Sequence, residues 1–68
     1  MRSWLKQLRT IRGKTEKQVA DDAGISQPFY HYVETGQKTP SPDVAQAIAD
    51  ALGFDWTLFY PKKARKIS

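Results

Sequence analysis

Apolar residues recur along this chain at spacings of three and four, and single glycines and prolines separate one run from the next. Leu5 and Leu8 are three apart, with Trp4, Ile11 or Arg12 at the margins of their face. They predict a first helix over 4–12, capped by Ser3 and ended by Gly13. Val19, Ala20 and Ala23 form the stripe of a second helix that stops at Gly24. Thr15 and Gln18 stand at its start with the spacing of a capping box, in which each side chain serves the other's backbone amide. Ser26 caps a third helix, and Pro28 fits its first turn because an amide there has no intrahelical partner. This helix ends near Glu34, at Thr35-Gly36. Ser41-Pro42-Asp43 is a cap, a proline and an acidic residue in the order that opens a fourth helix. Its stripe is Val44, Ala45, Ile48, Ala49 and Leu52, and Gly53 closes it. A short fifth helix is predicted from Asp55 to Tyr60, stopped by Pro61. No run alternates with period two, so the expected fold is all-α, a compact bundle of five helices.

The informative stretch runs from about 15 to 35. Two helices joined by a three- or four-residue turn containing glycine form a helix-turn-helix, whose second helix can project into a groove of DNA. The small Ala20 lets the two backbones approach, Gly24 tolerates a left-handed turn, and Ile25 plugs the angle between the helices. Tyr30 and Val33, three apart, face the core. Gln27, Pro28, Phe29, His31 and Tyr32 are left for the other faces.

A chain of 68 residues holds one domain, here assigned to 1–60, with 61–68 as a basic C-terminal tail carrying Lys62, Lys63, Arg65 and Lys66. The net charge of +4 and the pI of about 9.6 favour a polyanionic partner. Cysteine is absent and His31 is the single histidine, so no disulfide, metal site or cofactor is expected. The lack of cysteine suits the cytoplasm. No apolar run nears the ~20 residues of a membrane span, and the charged start is not a signal peptide. Asp21, Asp22 and Asp43 show no paired geometry for acid–base work, and no nucleophile–base pair or phosphate loop is present. The expectation is therefore a binding protein and not an enzyme. Phe54, Trp56, Leu58, Phe59 and Tyr60 carry more apolar area than a short helix buries. Trp56 and Phe59 are expected to close the core, while Leu58 and Tyr60 stay exposed. Leu58, Tyr60 and Trp56 are thus candidate homodimer contacts.

In order and spacing, several elements resemble the lambda-repressor/Cro-type helix-turn-helix regulators, also called the xenobiotic-response-element family. They are Leu8-Arg9, Gly13, Thr15, Val19-Ala20, Ala23-Gly24-Ile25-Ser26, Val33-Glu34, Gly36, Pro40-Ser41, Ile48-Ala49, Ala51-Leu52-Gly53 and Phe59. Tyr30 beside Phe29, and the ending Leu52 to Phe59, are most similar to the compact phage-type members. The resemblance implies a lambda-repressor-like DNA-binding domain of a phage or bacterial transcriptional regulator. It would be a repressor acting at the nucleoid, bound as a dimer to a double-stranded DNA operator.

The resemblance also implies roles at matching positions. Gln27, Pro28 and Tyr32 would contact bases, with Phe29 as an outside candidate. A Gln amide can bond adenine through N6 and N7. Thr15 and Lys17 at the start of the second helix, Gln37, Lys38 and Thr39 in the following loop, and His31 would hold phosphates. Arg9 and Glu34 would tie the first helix to the end of the recognition helix. Three positions depart from the family pattern. Glu16 stands where glutamine is usual, and its carboxylate repels phosphate. Lys14 replaces an apolar residue before the Thr15 cap, which weakens the start of the second helix. Tyr30 is larger than the usual aliphatic plug, so either the core makes room or its hydroxyl reaches the surface. A second reading stays open beside DNA binding. The same fold would serve as an interaction module for a protein, such as a toxin or an anti-repressor, through its aromatic end.

Overall fold

A computed structural model describes residues 2–60. Helix α1 (Ser3–Ile11) is followed by α2 (Glu16–Ala23), α3 (Gln27–Thr35) and α4 (Pro42–Leu52). A single 3-10 turn, Trp56–Phe59, ends the described chain. The domain thus has four α-helices, not five. The segment from Asp55 to Tyr60 is helical only as this turn, because Asp55 caps Thr57 and the apolar side chains behind it dock at once. No strand occurs among the described residues. The basic tail at 61–68 lies outside the described residues.

Three of the four α-helices start as the sequence implies. Thr15 accepts from the Gln18 amide at 3.1 Å while Gln18 accepts from the Thr15 amide at 2.8 Å, closing the capping box. Ser26 and Ser41 accept from the Phe29 and Val44 amides, with Pro28 and Pro42 in the first turns. The first helix differs. Ser3 lies inside α1, and the cap position is Arg2, whose side chain makes no capping bond.

Leu5, Val19, Ala20, Tyr30, Val33, Ala45, Ile48, Leu52 and Phe59 form one buried cluster, with at least one residue from every element. Helix α2 packs against both α3 and α4, and α1 closes over α3. Leu8, expected beside Leu5 in the core, is only half-buried and lines an apolar depression with Trp4, Gln7, Ile11 and Leu58. Trp4 meets Phe54 and Phe59 edge-on, with ring centres 5.4 and 5.3 Å apart. These contacts seal α1 to the segment around the 3-10 turn.

Basic side chains from the first fourteen residues sit on the C-terminal ends of later helices. Arg12 Nε donates to the Leu52 carbonyl at 2.8 Å, and Lys14 Nζ donates to the Ala51 carbonyl at 3.0 Å. Both satisfy carbonyls that α4 leaves without partners and meet the negative end of its dipole. Lys14 also pairs with Asp22 at 2.9 Å, bridging α2 and α4. Lys14, which replaces an apolar residue, thus ties the last turn of α2 to the end of α4.

Candidate nucleic-acid interface

The turn between α2 and α3 is short because Gly24 adopts a left-handed conformation, φ 73°, that a side chain would strain. Its neighbour Ile25 donates its amide to the Ala20 carbonyl at 3.0 Å and packs against the core. Ala20 is fully buried where α2 lies against its neighbours. These residues fix the angle at which α3 leaves the body of the domain.

The inner side of α3 is anchored by a polar network as well as by packing. Tyr30, Val33 and Glu34 are buried, and Glu34 is the one buried charged residue among those described. Arg9 Nε donates to Glu34 Oε2 at 2.8 Å, and a second Arg9 nitrogen donates to Oε1 at 3.2 Å. Tyr30 Oη donates to Oε2 at 2.8 Å from one turn earlier on the same helix. The core thus makes room for the oversized plug, which is fully buried, and its hydroxyl is taken by Glu34. Burial would raise Glu34, but hydrogen bonds from Arg9 and Tyr30 and the charge of Arg9 outweigh it and hold the carboxyl below its ordinary value. Tyr30 is pushed up, first by burial and then by the bond it gives to Glu34. Arg9 is raised by its bond to Glu34, against burial.

The outer side presents the expected base-contact residues in two rows. Gln27 and His31 are one turn apart, as are Pro28 and Tyr32, so each pair shares a face. These four residues and Glu16 line one shallow depression of about 340 Å³ between α2 and α3. Gln27, Pro28, His31 and Tyr32 are exposed, with Tyr32 at 40%. Phe29, the outside candidate, is half-buried, packs against the core and does not line this depression.

The expected phosphate contacts fall around this face. Thr15, Lys17, Gln37, Lys38 and Thr39 are all exposed. Lys17 Nζ is shared with Asp21 at 3.1 Å, and Gln37 bonds the Thr35 hydroxyl. The amides of Gln37 and Lys38 both donate to the Tyr32 carbonyl, at 2.9 and 3.1 Å, which folds the loop back over the end of α3. Thr15 has its hydroxyl engaged in the cap. His31, expected on the phosphate side, instead meets Glu16, with Nδ1 3.3 Å from Oε2. The Glu16 carboxylate, 23% exposed, is turned toward His31, and its charge also reaches Arg9.

Of the candidate dimer contacts, Leu58 is 54% exposed beside Ile11 at 73%. Tyr60, expected to be exposed, is tied into the fold. Its hydroxyl donates to the Pro40 carbonyl at 3.0 Å, and its ring meets Trp56 edge-on. Trp56 is half-buried against the core.

One residue that positions the site has no signal in the sequence. The backbone amide of Arg2 donates to the Glu34 carbonyl at 2.8 Å, and its guanidinium donates to the carbonyls of Val33 and Lys38. The guanidinium also lies 5.6 Å from the centre of the Phe59 ring. Burial lowers its pKa. Arg2 therefore clamps the end of α3 to the loop that carries Lys38. Among the described residues no cluster of metal-ligating side chains occurs, and no helix is long and apolar enough to cross a membrane.

A capped pair of helices about a glycine turn, with one face of the second helix locked and the other bare, defines a helix-turn-helix domain. The helix-turn-helix family model matches residues 5–59, and the chain belongs to this lambda-repressor/Cro-type family of regulators. It is 43% identical over 60 residues to the uncharacterized HTH-type transcriptional regulator YqaF of Bacillus subtilis (strain 168), an alignment covering 88% of this chain and 79% of that protein. No solved structure gives a significant match.

Proposed function

We propose that this chain is a sequence-specific transcriptional repressor that binds an operator as a dimer, with α3 in the major groove of each half-site. The observation that carries the proposal is the division of α3. Tyr30, Val33 and Glu34 are locked inward, and Gln27, Pro28 and Tyr32 stand exposed to solvent. A rigid helix with one bare polar face matches a groove ~12 Å wide.

Gln27 would bond an adenine, Pro28 would contact a thymine methyl, and Tyr32 would extend the reading surface by one turn. Lys38 would hold a phosphate, with Gln37, Thr39, Lys17 and the amides at the start of α2 beside it. From 27 to 32 the helix rises ~7.5 Å, about two base-pair steps, so a single domain reads too little sequence for an operator. A two-fold pair at half-sites ~34 Å apart doubles the footprint. Leu58 is the dimer candidate still free to meet a second copy. Occupancy of the operator would exclude polymerase sterically, at the nucleoid of a bacterial cell. The apolar depression of Trp4, Leu8, Ile11 and Leu58 favours one second reading, a module whose main partner is another protein.

Titration of binding to random duplex DNA against salt separates the two. A DNA-binding domain loses affinity with a log–log slope of about −0.9 per phosphate contacted. Absence of binding even at low salt would sink the nucleic-acid reading.

A further inference from the structure

Glu16 and His31 come from different helices and meet on the bare face, with Nδ1 of the ring 3.3 Å from a carboxylate oxygen. An ionised carboxylate only accepts hydrogen bonds, so this contact favours a proton on Nδ1, whether the ring is neutral or charged. The consequence falls on the other nitrogen. In a neutral imidazole whose Nδ1 carries the proton, Nε2 is an acceptor. The ring is 51% exposed, lies one turn beyond Gln27 and lines the same depression as Gln27, Pro28 and Tyr32.

An acceptor on this face has few partners in DNA. Phosphate oxygens also only accept, so a neutral ring held in this tautomer cannot grip the backbone, and the adjacent Glu16 carboxylate repels it further. Among base edges in the major groove, only the N6 amine of adenine and the N4 amine of cytosine donate. We infer that Glu16 and His31 form a base-reading unit in which Glu16 fixes the tautomer and His31 Nε2 accepts from the exocyclic amine of adenine or cytosine. This rests on the major-groove reading above and adds to it a specificity-determining residue and the base class that it selects. Glu16 is then a positioning residue, and the departure from glutamine at this position has a use.

His31 is the single histidine, so its ring nitrogens can be read without ambiguity in the whole chain. The first measurement is a long-range proton–nitrogen correlation spectrum of the free protein at about pH 8, above the ordinary histidine range. The proton is expected on Nδ1, and Glu16→Ala should move it toward Nε2. A wild-type ring protonated on Nε2 overturns the inference without bearing on DNA binding.

The second measurement is selection of sites from a random duplex library with wild type, Glu16→Ala and His31→Ala. One position per half-site should favour adenine or cytosine by about two- to tenfold, the worth of one hydrogen bond. His31→Ala should abolish that preference, and Glu16→Ala should abolish it or turn it toward guanine or thymine. The preference set by Gln27 should survive both. Uniform loss of affinity in His31→Ala would mean a phosphate contact and overturn the inference. Failure to enrich any sequence, with the ring proton on Nδ1, would instead overturn the major-groove reading on which the inference stands.

Discussion

Arg9 of α1 grips Glu34 of α3 through two hydrogen bonds, 2.8 and 3.2 Å, although twenty-five positions separate them in the chain. Glu34 is 2% exposed and the Arg9 side chain 14%. Tyr30 supplies a third bond to the same carboxylate. The orientation of the proposed recognition helix is therefore set by a charge buried on its inner face.

Removing Arg9 leaves that charge without its counterion. Arg9→Ala should cost about 3–5 kcal/mol, because an unpaired buried carboxylate is expensive to keep out of water. A domain of this size has only roughly 3–10 kcal/mol of stability, so the variant should be largely unfolded or close to it. Tyr30→Phe removes one donor of three and should cost about 1 kcal/mol. Chemical denaturation of the two variants checks the order; the reverse order would mean that Arg9 does not hold Glu34.

The same network sets the pH range of stability. Glu34 is depressed below its ordinary 4.5 in the folded chain, so it binds fewer protons there than in the unfolded chain. Its contribution is present above about pH 4.5 and is lost as pH falls through the lower folded value. Tyr30 is raised above its ordinary 10.0, so its contribution is present below about pH 10 and is lost as the pH rises further. Thermal melts should show a plateau between these limits. Tyr30→Phe should flatten its alkaline edge.

Arg2 is expected to act on DNA affinity without touching DNA. Arg2→Ala frees the carbonyls of Val33 and Lys38 and loosens the loop behind Lys38. Stability should fall by about 1–2 kcal/mol, from the lost hydrogen bonds and the lost contact with Phe59. Amide exchange should quicken at Gln37 and Lys38 before it quickens in α2. Exchange that rises evenly throughout the domain would argue against a local clamp.

The two proposed classes of DNA contact predict opposite phenotypes. Gln27→Ala should relax base preference at one position per half-site, with discrimination falling by ~1–3 kcal/mol. Lys38→Ala should weaken all sequences alike and reduce the salt slope by about one unit. Competition binding against single-base operator variants measures both. A uniform loss in Gln27→Ala would mean that α3 docks in another orientation.

Leu58 is the remaining candidate for self-association. Leu58→Lys places a charge in the exposed apolar depression, and sedimentation velocity should shift toward the monomer mass. No shift would place the dimer contact elsewhere on the domain.

Much of this was legible in the sequence because caps, glycine stops and apolar spacing act over a few residues. The Thr15–Gln18 box, the Ser26 and Ser41 caps and the inward placement of Tyr30 and Val33 needed nothing beyond local rules. Where those rules failed, a distant partner was the reason. Ser3 has the side chain of a cap, but Arg2 holds that position because its amide and guanidinium are drawn to the end of α3. Phe29 falls on the outer faces by helical period, and in the fold it is half-buried against the core. Tyr60 was expected in solvent, but the Pro40 carbonyl takes its hydroxyl.

The sequence by itself determined the first four helices and the glycine turn between the second and third, and it left Gln27, Pro28, Phe29, His31 and Tyr32 off the core face; the fifth helix that it predicted is a 3-10 turn. These follow from backbone preferences and from the period of a helix, which any short segment carries within itself. Only the tertiary structure decided what Lys14, Arg2, Glu16 and the Tyr30 hydroxyl do. Each is a long or polar side chain, and its partner lies on another element or one turn away on the same helix. Which partner it meets depends on where the helices cross, and no local pattern encodes that.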